Sequence, residues 1–108
     1  MKPITFLADS LKALRAFPEP ARQDAGYQLD RLQRGLQPDD FKPVQAIGAG
    51  VEELSVWCEQ GTFRVVYLAR LPDAVVVLHA FQKKTQATPK SDIDLAARRY
   101  RDLMRKRT

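Results

Sequence analysis

Apolar residues recur along the chain with two different periods, and the changes of period divide it into strands and helices. The run Pro3-Ile4-Thr5-Phe6-Leu7 predicts a short first strand. Asp9 or Ser10 then offers a cap for a helix through Leu11, Leu14 and Arg15, which Pro18 ends. From about Pro20, a residue suited to a first helical turn, Ala21, Ala25, Leu29, Leu32 and Leu36 fall at helical spacing, with Gly35 as a terminating residue. Two tandem helices of this kind form an αα-hairpin. Residues 37–50 contain Pro38, Pro43, Gly48 and Gly50 with weak periodicity, and read as a connection.

Residues 51–58 and 62–69 are rich in β-branched and aromatic side chains, and Glu59-Gln60-Gly61 supplies a tight turn between them, so the pair predicts a β-hairpin. A Gln60-Gly61 loop would set Trp57 opposite Arg64 and Ser55 opposite Val66, with Leu54, Val56, Val65 and Tyr67 on the other face. After the turn at Leu71-Pro72-Asp73, residues 74–81 are almost continuously apolar, as in the middle of a sheet. Thr88-Pro89 opens a last helix in which Ile93, Ala96, Ala97, Tyr100, Leu103 and Met104 share one face. Its opposite face carries Arg98, Arg101, Asp102 and Arg105, with Asp92 and Asp94 in the first turn. The order β-α-α-β-β-β-α predicts an α+β fold, a small antiparallel sheet with helices segregated from it, because the later strands are joined by turns too short for parallel crossovers.

A chain of 108 residues supports one core and therefore one domain, residues 1–108. No apolar run approaches the roughly 20 residues of a membrane span, and the first residues lead into no signal-peptide pattern, so a cytoplasmic protein is expected. Cys58 is the only cysteine, which removes an intrachain disulfide and gives neither zinc nor redox-dithiol chemistry any support. The formal charge of +5 is unevenly placed. Residues 1–81 hold nine basic and ten acidic side chains, a balance of −1, whereas residues 82–108 hold nine basic and three acidic, a balance of +6. Such a concentration suits a polyanion, although basic residues late in a helix also complement its dipole.

Nucleotide-binding glycine loops, zinc-hydrolase motifs, serine-hydrolase elbows and paired carboxylates are all missing, so the candidates for chemistry are cationic. Gln82, Lys83 and Lys84 follow the apolar strand directly and stand at its end. His79, two residues before Phe81 and on the same side, is the one histidine of the chain, the residue type suited to proton transfer, and is either a packed, hydrogen-bonded residue or a proton-transfer group. Arg64 within a strand needs either an anion-binding face or a cation–π partner, for which Trp57 across the hairpin is available. A face carrying Arg64, Lys83, Lys84 and His79 beside a basic helix fits RNA phosphodiester cleavage. There the 2′-hydroxyl attacks the adjacent phosphorus and the protein orients the strand, stabilises negative charge and moves protons. Arginine and lysine supply the electrostatic part without a metal or other cofactor.

The segments Phe63-Arg64-Val65-Val66-Tyr67, Val77-Leu78-His79-Ala80-Phe81-Gln82-Lys83-Lys84-Thr85-Gln86, Thr88-Pro89 and Ile93-Asp94-Leu95-Ala96 together resemble the phage-derived HigB-like branch of the RelE/ParE toxin superfamily. The resemblance implies a toxin of a type II toxin–antitoxin pair, a metal-independent endoribonuclease that cuts mRNA on the ribosome and so inhibits translation. It places the family's strand arginine on Arg64 and its lysine pair on Lys83 and Lys84, with His79 as a candidate for proton transfer. Lys90, Arg98, Arg101 and Arg105 become candidates for gripping RNA. Its implied partners are a helix-turn-helix, HigA-like antitoxin, the ribosome and mRNA, with no membrane and no small-molecule cofactor. One position departs: where the family carries a Glu-[Leu/Ile]-Arg triplet this chain reads Glu53-Leu54-Ser55. A ParE-like, gyrase-directed inhibitor and a catalytically weakened, antitoxin-binding module therefore stand beside the nuclease as alternatives.

Overall fold

A computed structural model describes residues 1–107. Eight elements follow in the order β1 (Ile4–Phe6), α1 (Ser10–Arg15), α2 (Glu19–Gln33), β2 (Phe41–Pro43), β3 (Val51–Cys58), β4 (Gly61–Leu68), β5 (Val75–Lys83) and α3 (Lys90–Arg107). The strands form one five-stranded sheet in the spatial order β1-β5-β4-β3-β2. The α+β class is as expected, and the arrangement is compatible with a small RelE-like fold, but the sheet is mixed rather than purely antiparallel. β1 lies parallel to β5, with Ile4 beside Val75. The long excursion through both helices and three strands gives the chain ample length to return in the same direction. β2, inside the segment expected to be a plain connection, pairs antiparallel with β3 at the opposite edge. It spans three residues and ends in a proline that only an edge position tolerates, so no strand pattern marks it.

Both faces of the sheet are covered. Leu54, Val56, Phe63, Val65, Tyr67, Val75 and Val77 pack under α1 and α2 against Leu14, Ala21, Ala25, Leu29 and Leu32. Leu36, expected to extend the α2 stripe, lies beyond the helix end and is exposed, because Gly35 adopts φ +81° and turns the chain away. On the other face Val51, Val66, Leu68, Val76 and Leu78 pack under α3, whose Ala96 and Ala97 bring the helix close, with Ile93, Tyr100, Leu103 and Met104 at the rim. The β3–β4 loop is Glu59-Gln60, with Cys58 opposite Gly61, so Trp57 faces Thr62 and Ser55 faces Arg64. This register differs from the expected one by two residues, and a slip of two leaves every side chain on its anticipated face.

A further irregularity does change faces. Along β4 and β5, Val66 pairs with His79 but Tyr67 pairs with Val77, so Leu78 is an extra residue in β5. Leu78 and His79 consequently both lie on the α3 side, and beyond the bulge Phe81 and Lys83 stay on that side while Ala80 joins the α1–α2 core.

Polar contacts position α3. Arg99 Nη1 donates to the Leu78 carbonyl at 2.8 Å and its Nη2 to Asp9 Oδ1 at 2.6 Å. Asp9 thus serves α3 instead of capping α1, and Ser10 Oγ donates to the Val77 carbonyl. Arg107 pairs with Asp73 at 2.8 Å. The Tyr100 ring lies over Gly48 so closely that a Cβ there would sit 2.4 Å from it. Among the described residues no helix is long and apolar enough to cross a membrane.

Removing the Arg99 guanidinium strands an acceptor in β5, and Arg99→Ala is expected to cost about 1.5–3 kcal/mol in urea unfolding. The hydrogen bonds from Arg99 and Arg107, with their charge, hold the carboxyls of Asp9 and Asp73 below the usual range. Such a lowered folded-state pKa contributes stability that is complete above the unfolded value of about 3.9 and is lost as pH falls through the folded value. The protection factors of α3 amides, taken relative to the intrinsic exchange rate at each pH, are therefore expected to fall on acidification below about pH 4, and the Asp9 share of that change disappears in Arg99→Ala.

Candidate functional site

The end of the sheet where β3 and β4 turn presents three transverse rows on the α3 side. Glu53, Val66 and His79 form the innermost row, Ser55, Arg64 and Phe81 the next, and Trp57, Thr62 and Lys83 the outermost. α3 covers the innermost row, with Phe81 of the next row packed against the same cluster. Its first turn is fixed there by Asp92 Oδ1, 2.7 Å from His79 Nε2, and the segment leading into it by Thr88 Oγ1, which donates to Glu53 Oε2 at 3.1 Å. Beyond that cover a cleft of about 500 Å³ opens, lined by Trp57, Thr62, Arg64, Lys83, Lys84, Thr85 and Gln86. A larger open depression of about 670 Å³ lies far from these residues, around residues 1–3, 33–35 and 72–73. Its cations are engaged elsewhere, Lys2 with the Ala69 carbonyl and Arg34 with Asp30.

Arg64 is 9% exposed and forms the floor of the cleft. Its Nη1 donates to Oε1 of Glu53, a carboxylate with no exposure, one row further in. The guanidinium is therefore held along one edge by a buried anion, and its Nε is buried with no partner among the described residues. This pairing replaces the cation–π contact with Trp57 that the sequence made available. Lys83 is half-buried on the same face, and its ammonium is held below the usual lysine range by lost hydration and by the neighbouring charges of Arg64 and Lys42, with Glu53 acting in the opposite sense. Cations gathered against their mutual repulsion are poised for an anion, and a lysine with a lowered pKa is also the stronger proton donor.

The structure brings Arg64, Lys83 and Lys84 together, as the sequence suggested, and sets His79 apart. His79 does not line the cleft; it lies four residues before Lys83 along β5, about 13 Å by strand rise. Its ring stacks on Phe81 with centroids 5.1 Å apart, and its Nδ1 is buried and unpartnered among the described residues. Lys90, Arg98, Arg101 and Arg105 are all exposed. At helical spacing they fall within about 80° of arc and span about 22 Å, a ridge leading away from the cleft. Lys90 faces Asp94 and Arg105 faces Asp102, each at 3.6 Å. Glu53, Thr88 and Thr62 were not among the site residues that the sequence suggested. Glu53 carried a usable signal, since strand alternation put a carboxylate on the face of Arg64 in a segment with little room for solvent.

A five-stranded mixed sheet with helices on both faces, and with Arg64, Lys83 and Lys84 lining an open cleft at one end, places the chain in the α+β class of small domains. Within it, this chain belongs to the family described as Phage derived protein Gp49-like (DUF891), whose model matches residues 12–101. The matched span contains the whole cleft and about the first three turns of α3. No curated protein matches the chain.

Glu53→Ala would leave Arg64 buried without its counter-charge, and the expected cost is about 3–5 kcal/mol in denaturant unfolding. Lys83→Ala relieves repulsion instead, so its midpoint is expected to equal or exceed that of the native chain.

Proposed function

We propose that this chain is the toxin of a type II toxin–antitoxin pair and cuts mRNA on the ribosome without a metal. The observation that carries the reading is the convergence of Arg64, Lys83 and Lys84, from two strands and the segment that follows, on one open cleft. In this reading the scissile phosphate lies between Arg64 and the lysines. The 2′-hydroxyl of the RNA, giving its proton to solvent water, attacks phosphorus to form a 2′,3′-cyclic phosphate as the bond to the 5′-oxygen breaks; the guanidinium and the Lys84 ammonium stabilise the added negative charge, and Lys83 gives its proton to the departing 5′-oxygen. His79 acts at one remove, fixing the start of α3 through Asp92. Lys90, Arg98, Arg101 and Arg105 continue the positive surface toward ribosomal RNA. The antitoxin, a helix-turn-helix protein of the HigA kind, neutralises the toxin by laying acidic side chains over the cleft. The membership of a phage-derived family supports this reading, as does the resemblance of the strand and lysine motifs.

A second reading, a weakened nuclease kept for antitoxin binding, is favoured by one observation. Ser55 sits directly opposite Arg64 and next to the cleft floor, where a second arginine would add to the charge-stabilising set. Removing one preorganised donor of this type costs about 10²–10³ in rate.

Induction in a bacterial host without a partner, with mapping of mRNA 5′ ends, tests both. The nuclease reading expects growth arrest with new cuts inside translated frames, reduced at least about 10²-fold by Lys83→Ala plus Lys84→Ala. Normal growth that turns to arrest with Ser55→Arg supports the weakened reading. Arrest with intact transcripts and a DNA-damage response overturns both in favour of a gyrase target.

A further inference from the structure

Trp57 is 58% exposed, although it stands within a strand of the central sheet. Its backbone is paired with β4, opposite Thr62, in the register of the hairpin, so the ring is carried on a regular strand. Among the described residues no aromatic ring or guanidinium stacks on it, since Arg64 is taken by Glu53. An exposed indole at the rim of a cationic cleft offers an open π-face on which a partner can stack. The partner must tolerate the neighbours, which are Arg64, Lys83 and Lys84 around the same cleft, with the hydroxyl of Thr62 between. An apolar peptide face meets that charge poorly. A planar ring carried on an anionic backbone meets both requirements, and an unpaired nucleobase flanked by phosphates is such a group. A base within a duplex has both faces stacked and cannot reach the indole.

We propose that Trp57 is the stacking platform for one unpaired base of single-stranded RNA, positioned beside the cations that hold its phosphate. This inference rests on the nuclease reading for the phosphate site, and it adds a residue that selects single-stranded substrate and fixes the base next to the scissile bond. Trp57 is a binding residue here and takes no part in proton transfer. Stacking responds to ring area rather than to base edges, so purines bind better than pyrimidines.

The chain contains a single tryptophan, so its fluorescence reports on this site alone. The probe is a short single-stranded 2′-O-methyl RNA, which cannot attack its own phosphates, titrated at low salt beside an abasic strand of equal charge and a duplex. The expected result is quenching by the single strand, strongest with purines, and little from the abasic strand or the duplex. By fluorescence anisotropy of labelled RNA, Trp57→Ala should bind about 5- to 150-fold more weakly with an unchanged salt slope, and Trp57→Phe should retain most of the affinity. Lys83→Ala plus Lys84→Ala should instead flatten the slope by about 1.4 in log Kd against log salt, at about 0.7 per charge on a single strand. Equal quenching by the abasic strand, equal affinity of Trp57→Ala, or no quenching by any strand overturns the stacking inference. The nuclease reading is decided separately by the mapped mRNA ends, so mRNA cuts that depend on the lysines together with unaltered binding by Trp57→Ala leave that reading standing and sink this one.

Discussion

The extra residue in β5 is the constraint on which the site depends. Side chains alternate along a strand, so one inserted residue exchanges the two faces for everything beyond it. Without Leu78 as the insertion, His79, Phe81 and Lys83 would point toward α1 and α2, and Ala80 would point toward α3. Lys83 would then lie across the sheet from Arg64, and no cleft could gather both. The same bulge gives β5 two consecutive residues on the α3 side, and these are the places where α3 is tied, the Leu78 carbonyl to Arg99 and the His79 ring to Asp92.

The buried Glu53–Arg64 pair translates that geometry into electrostatics. A guanidinium at the floor of the cleft is tolerated because a fully buried carboxylate faces it and Thr88, two residues before α3, donates to that carboxylate in turn. The pair leaves the arginine charged and fixed, and the net positive potential of the cleft comes from Lys83 and Lys84, which have no such counter-ion. The lowered pKa of Lys83 is the cost of this arrangement. Charge held in place before a ligand arrives is the arrangement that stabilises a developing anion most effectively, because no reorganisation is needed when the charge forms.

α3 joins structure and function in one element. Its apolar face completes the second core, and its opposite face carries the basic ridge. Its beginning marks where cover ends and the cleft opens. The three outermost residues, Trp57, Thr62 and Lys83, combine a ring, a hydroxyl and an ammonium in one row.

Most elements were legible in the sequence because they depend on local periodicity. The α2 stripe, the β3–β4 hairpin, the apolar run of β5 and the two faces of α3 each follow from a repeat of 3.6 or 2, and the motif residues Arg64, Lys83 and Lys84 could be named before any coordinates. The edge strand β2, the parallel pairing of β1, the loop at Glu59-Gln60 and the departure of Leu36 from the helix stripe could not, since each depends on a partner distant in the chain or on one backbone angle. The bulge belongs to the same kind. An almost uniformly apolar strand contains no alternation from which an inserted residue could be detected, and only packing both sheet faces at once decides which side each residue takes. For that reason the chain's own pattern determined which cations were available, while the tertiary structure decided that Arg64 and the lysines share a cleft and that His79 belongs to the anchoring of α3.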